Sequence, residues 1–131
     1  MTRVLPQPTK VSKPFWDACR RGEFIIQKCG NCGSHLFYPV RMCPDCSSLD
    51  LGWVPASGKG TIYSLSTLVQ ATDGDKDGPP TILALVALDE GPVMMSNIVG
   101  KDAGDARIGD SVAVEFASVS DEISLPMFHR V

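Results

Sequence analysis

The chain has 131 residues, 44% of them hydrophobic, and a formal net charge of −3, which is material for a small module plus one compact β domain. Its longest apolar run, Ile82 to Leu88, is too short to span a bilayer, and Met1 to Pro6 lacks the apolar stretch of a secretory leader, so a soluble, cytoplasmic protein without membrane attachment is expected. The charge is unevenly divided: residues 1–49 carry seven Lys/Arg against three acids and residues 50–131 carry five against twelve, so an anionic ligand is expected to meet the front of the molecule.

Residues 1–11 are polar and punctuated by proline, and read as an arm. Ser12-Lys13-Pro14 opens a helix with proline in the first turn, where its missing N–H costs nothing, and Gly22 stops it. Phe15 and Cys19, with Trp16 beside them, share one face of this helix at i, i+4 spacing, for core or interface packing. Cys19 has no partner in the sequence pattern and reads as a small buried hydrophobe. Glu23 to Lys28 is strand-like and leads into the first cysteine pair.

Cys29-Gly30-Asn31-Cys32 and Cys43-Pro44-Asp45-Cys46 form two CxxC turns separated by ten residues, the arrangement that surrounds one metal ion with four thiolates. A residue free to take positive φ at Gly33 lets backbone amides point back at the sulfurs. The segment Ser34 to Arg41 is expected to form a tight hairpin between the pairs. Disulfides would require an oxidising compartment, and a thioredoxin-like pair would open a helix in a βαβ unit. One structural zinc per chain on Cys29, Cys32, Cys43 and Cys46 is therefore expected, with Lys28 and Arg41 placed to offset the excess thiolate charge. Iron in the same site would make a rubredoxin-like electron carrier.

After Cys46 short strands alternate with turns. Thr61 to Gln70 alternates, with Tyr63, Leu65, Thr67 and Val69 on one face and Ile62, Ser64, Ser66 and Leu68 on the other. Thr81 to Leu88 and Val93 to Val99 flank the turn Asp89-Glu90-Gly91. Gly100 to Gly109 has room for one helical turn, and Ser111 to Ala117 points Val112, Val114 and Phe116 inward. Ile123 to Val131 completes five strands with a helical link after the third, which suits an OB-type barrel. Gly58-Lys59-Gly60 is expected to bulge the first barrel strand. The fold class is thus mainly β, with an N-terminal helix, a zinc ribbon and a C-terminal five-stranded OB-fold barrel, divided as 1–26, 27–52 and 53–131.

Other patterns lead nowhere. Asp73 to Gly78 starts like a calcium loop, yet the twelfth position is Ala84 where a bidentate Glu is needed. His35 is surplus to four cysteines, His129 reads as an ordinary strand residue, and Asp89-Glu90 and Asp121-Glu122 are solvated turn acids. With no activated nucleophile or acid/base pair, the chain is expected to be no enzyme on its own, with no catalytic residues.

Pro14-Phe15-Trp16, Cys29-Gly30-Asn31-Cys32-Gly33, Tyr38 to Cys46, Gly58 to Ser64, Val86 to Gly91 and Ile108 to Val112, in this order, resemble the zinc-ribbon OB-fold, acyl-CoA-associated family first catalogued as domain of unknown function thirty-five. The family's Pro-Pro-Arg before the third cysteine reads Pro39-Val40-Arg41 here. The resemblance implies a rubredoxin-like ribbon and a non-catalytic accessory subunit in a hetero-oligomer. Its partner would be a thiolase-superfamily enzyme, a lipid-transfer-protein-like thiolase or aldolase, or alternatively a hotdog-fold enoyl-CoA hydratase. It also implies a coenzyme A thioester shared with that partner, for which Lys28, Phe37, Tyr38 and Arg41 would line one wall of a tunnel. The competing role for Arg41 is charge balance at the thiolates. The competing function is an OB-fold nucleic-acid module, disfavoured by the acidic body, so no nucleic-acid partner is expected.

Overall fold

The computed structural model describes residues 5–68 and 81–131; the calcium-like stretch Asp73 to Gly78 and the last two residues of the expected strand Thr61 to Gln70 lie outside these residues. Helix α1 (Lys13–Arg20) carries proline in its first turn, and Gly22 after it takes φ 78°. Thr9 and Ser12 brace the approach by exchanging backbone and hydroxyl hydrogen bonds. Three strands, β1 (Ile25–Cys29), β2 (His35–Leu36) and β3 (Leu51–Pro55), form a sheet in the order β2-β1-β3. The expected division at 52/53 falls inside β3, which pairs with β1 from Cys29↔Leu51 to Ile25↔Pro55.

The second sheet is a closed barrel of β4 (Lys59–Leu68), β5 (Thr81–Leu88), β6 (Val93–Val99), β7 (Ser111–Ser118) and β8 (Ser124–Arg130), in the order β4-β5-β6-β8-β7. A 3-10 turn at Ala103–Asp105 follows β6, the place reserved for the helical link of an OB barrel. The barrel interior alternates strictly along β5, with Ile82, Ala84, Val86 and Leu88 buried. Phe128, fully buried, meets Phe24 edge to face at 6.4 Å, and Phe15, Phe24 and Ile26 join the barrel residues in one continuous core. Phe15 is 3% exposed, so its ring belongs to this core and not to an interface. No helix among the described residues is long and apolar enough to cross a membrane.

Three local expectations are corrected. The segment Ser34 to Arg41 is not a hairpin: only His35 and Leu36 are in a strand, and they pair with β1, so the hairpin turns through the first CxxC itself. Beyond Leu36 the chain leaves the ladder, and the buried side chain of Gln27 replaces a strand by donating Nε2–H to Val40 O at 2.9 Å and accepting Val40 N–H at 2.7 Å. The bulge in β4 lies at Tyr63, between the pairs Ile62↔Val86 and Ser64↔Leu85, rather than at Gly58-Lys59-Gly60. Because the extra residue shifts the phase, Ile62 and Leu65 both contact the core, and the two faces assigned to the uninterrupted strand exchange at that point. Gly60 has another reason to be glycine, since a Cβ there would lie 2.6 Å from Ala87 O.

Candidate metal centre and apolar groove

Two backbone knuckles with the same hydrogen bonding present the four cysteines. In the first, Gly33 N–H donates to Cys29 O at 3.0 Å and Cys29 N–H to Ser34 O at 2.9 Å; in the second, Ser47 N–H donates to Cys43 O at 2.8 Å and Cys43 N–H to Ser48 O at 2.9 Å. Gly33 takes φ 79° and Ser47 φ 64°, so Ser47 occupies the left-handed position that glycine holds in the first knuckle. Cys29 and Cys46 bring their sulfurs to 3.6 Å, as do Cys32 and Cys43, and all four lie within 4.8 Å of one another. Tetrahedral thiolates about 2.3 Å from zinc stand roughly 3.8 Å apart, whereas a disulfide requires about 2.05 Å, so the cluster fits one metal ion. Asn31 Nδ2 donates to Cys46 Sγ at 3.4 Å and Cys32 N–H to Cys29 Sγ at 3.5 Å, the outer contacts that orient thiolate ligands.

The thiols differ in surroundings. The Cys32 amide holds Cys29 below the usual thiol range, and the hydroxyl and amide of Ser34 bring Cys32 down to about 6. Burial pushes Cys43 up to about 11. Cys19, on α1 and 1% exposed, is pushed up to about 12 by burial and behaves as the small hydrophobe its sequence position suggests. Gly30 permits the close return of the chain, since its N–H donates to Asp50 O at 2.7 Å and a Cβ would strike the Asp50 carboxylate.

The second feature is an apolar groove of about 350 Å³ where α1, the finger between the two cysteine pairs and the barrel meet. Its origin is topological. β6 pairs with β5 from Val93 to Ile98 but meets β8 only at Ile98↔Phe128 and Val99↔His129, so the seam between β6 and β8 opens toward residues 93–97. Pro126 in β8 has no N–H to close it, and the buried Ser96 hydroxyl spans the gap by donating to Pro126 O at 2.7 Å. The edge N–H of Met95 donates to the Tyr38 hydroxyl at 3.0 Å, which ties the finger to the barrel. Phe37 packs on Phe15 with centroids 5.2 Å apart, and Trp16 flanks Phe15 at 5.1 Å. Phe37, Tyr38 and Trp16 thus form one wall, with Met95 and Leu125 opposite, and among the described residues no Asp, Glu, Lys, Arg, His or Cys lines the groove.

Of the four expected ligand residues the structure brings Phe37 and Tyr38 together in this groove. Lys28 borders a separate hollow beside the first knuckle with Asp50 and Gly52, and Arg41 is exposed on the finger and lines neither cavity. Met95, Ser96, Asn97 and Leu125 to Met127 were not legible as site residues. The only local signal was Pro126 within a strand-like run.

Two family models cover the chain in tandem: the ChsH2 rubredoxin-like zinc ribbon domain over residues 16–52 and the ChsH2 C-terminal OB-fold domain over 53–117. A DUF35 domain-containing scaffold protein of Methanothermobacter thermautotrophicus is 40% identical over 97 residues, 72% of each chain. A probable enoyl-CoA hydratase alpha subunit of Thermomonospora curvata is 31% identical over 115 residues, covering 87% of this chain but only 36% of the relative. Among solved structures, a chain of the Ltp2-ChsH2(DUF35) aldolase superposes with a TM-score of 0.85 at 28% identity, over 96% of this chain and 98% of that one.

Proposed function

The chain belongs to the DUF35 family of zinc-ribbon and OB-fold scaffold proteins, and from that premise we propose that it is a non-catalytic accessory subunit. It assembles with a thiolase-superfamily enzyme, of thiolase or aldolase type, and helps hold that enzyme's acyl-CoA substrate. The observation that carries this reading is the groove: an apolar slot walled by Phe37 and Tyr38, with no carboxyl, amine, imidazole or thiol group among its described lining residues, suits a slender chain. The pantetheine and acyl parts of a coenzyme A thioester suit the slot, while Lys28 of β1 and Arg41 of the finger are the basic groups for its phosphates. A single zinc on Cys29, Cys32, Cys43 and Cys46 fixes the finger that supplies the wall. The likeness to a chain of an aldolase favours the thiolase or aldolase partner; the relative named as a hydratase alpha subunit favours the alternative, an enoyl-CoA hydratase.

The test is purification of the tagged chain from its native cell with mass spectrometry of what accompanies it, together with metal analysis. One zinc per chain and a thiolase-superfamily enzyme are expected. Trp16→Ala then weakens assembly without removing zinc, and Arg41→Ala raises KM for the acyl-CoA while leaving assembly intact. Absence of any thiolase-type or hydratase enzyme from the purified material, or an activity indifferent to this chain, sinks the reading.

A further inference from the structure

The four thiolates of the metal centre are not equally shielded. Cys29 and Cys43 are each 1% exposed and Cys46 is half-buried, whereas Cys32 is exposed. Beside it lies a hollow of about 590 Å³, lined by Cys29 and Cys32 together with Lys28, Asp50, Gly52 and Val54, through which a small solute reaches the first knuckle. The sulfurs in contact follow a second pattern. At 3.6 Å Cys32 faces Cys43 and Cys29 faces Cys46, so each contact joins one knuckle to the other and neither lies within a CxxC turn.

We infer that Cys32 is a site of oxidative modification by peroxides, and that its oxidation converts the metal centre into two disulfides crossing between the knuckles. The Cys32 thiolate attacks one peroxide oxygen, forming an S–O bond as the O–O bond breaks and hydroxide departs. The Cys43 thiolate then attacks that sulfur, forming the S–S bond and expelling the second hydroxide. Two sulfurs are oxidised, both peroxide oxygens are reduced, and two protons from solvent turn the hydroxides into water. Cys29 and Cys46 consume a second peroxide in the same way, which leaves no thiolate ligand and frees the divalent ion. Each pair has to close from 3.6 Å to about 2.05 Å, a shift shared between two short turns.

The crossed pairing makes the change reversible. A Cys32–Cys43 bridge closes the base of the finger that carries Phe37 and Tyr38, while two anchors of the finger use no thiolate: the Gln27 clip on Val40, and the Met95 N–H donated to the Tyr38 hydroxyl. The oxidised chain therefore keeps the finger in place without metal, and a dithiol reductant with zinc restores the starting state. The inference rests on the four-thiolate site and is independent of which enzyme the chain accompanies.

The experiment treats the full-length, zinc-loaded chain with hydrogen peroxide, follows zinc release with a chromogenic chelator and maps the cysteines by mass spectrometry. Two exposed methionines, Met42 and Met95, at 51% and 57%, serve as internal clocks, and Cys19, 1% exposed, as the shielded control. Zinc is expected to leave before either methionine is half converted to sulfoxide, with Cys32–Cys43 as the first bridge, Cys29–Cys46 as the second and Cys19 still a thiol. Amide protection through residues 37–42 is expected to survive in the oxidised chain and to be lost in the chelated, reduced one; dithiothreitol with zinc ions returns one zinc per chain. A Cβ at Gly52 meets nothing within 4 Å, so Gly52→Leu narrows the hollow and is expected to slow release about threefold, its zinc content before treatment serving as the folding control. Zinc retained until both methionines are oxidised, bridges within a CxxC turn or between chains, over-oxidised Cys32 without a bridge, equal loss of protection in the oxidised and chelated chains, or an unchanged rate in zinc-loaded Gly52→Leu each overturn the inference.

Discussion

Ser47 takes a conformation that costs an L-residue with a Cβ about 1–2 kcal/mol, and it does so because the second knuckle repeats the first without the glycine. Ser47→Gly is therefore expected to raise stability by about 0.5–1 kcal/mol, the larger unfolded-state freedom of glycine offsetting part of the gain, with metal stoichiometry unchanged. A higher denaturation midpoint at constant m-value checks it. At the other end of the molecule, Asp110 accepts the Arg107 N–H at 2.9 Å and Arg130 Nε–H at 3.0 Å. The Arg107 amide first, and then the Arg130 guanidinium, hold its carboxyl below the ordinary 3.8. Since the folded value is the depressed one, the stabilisation is complete above the unfolded value and disappears as pH falls through the folded value. The stability difference between the parent chain and Asp110→Asn should accordingly be largest near neutral pH and shrink below about pH 4, where the unfolded carboxyl is already protonated. A difference that stays constant down to pH 2 would remove Asp110 from this role.

Elements were legible where their cause is local. Proline in the first turn, glycine after the last and an i, i+4 apolar pair define α1, and period-two alternation with turn residues between defines most of β5 to β8. The cysteine spacing likewise identifies the metal knuckles, because each pair is closed by its own four-residue turn. What escaped has a non-local cause. A bulge at Tyr63 depends on how β4 meets β5, the groove on residues of β6 and β8 that are 30 positions apart in the Ser96–Pro126 bridge, and the path of the finger on Gln27 reaching Val40. None of these leaves a periodicity to read. The Gln27 clip makes its own prediction: Gln27→Leu leaves the Val40 N–H and C=O without their partner, costs about 1–3 kcal/mol, and speeds amide exchange through residues 37–42 while the thiolates still hold metal. Unchanged exchange in that segment would show that the knuckles alone fix the finger.

At the scale of the molecule, the described residues form two cores of unequal strength. Helix α1, β1 and the barrel share one, whereas the knuckles bury only Cys29, Leu36 and Cys43 with Val40, Cys46 and Leu51 around them. So small a cluster has little apolar area with which to order its loops, and the metal carries that task. A chelator is expected to abolish amide protection in residues 29–52 and to leave it largely intact in β4 to β8, as followed by hydrogen exchange; collapse of protection throughout the barrel would mean a single cooperative unit. The order of strands in the barrel has another consequence. β8 lies between β6 and β7 and also supports α1, yet the ribosome makes it after every other barrel strand. Until those residues emerge, the nascent polypeptide holds an open sheet with two bare edges and an N-terminal helix that lacks part of its bed. A premature stop before Ser124 therefore produces a sticky intermediate suited to chaperones and proteases.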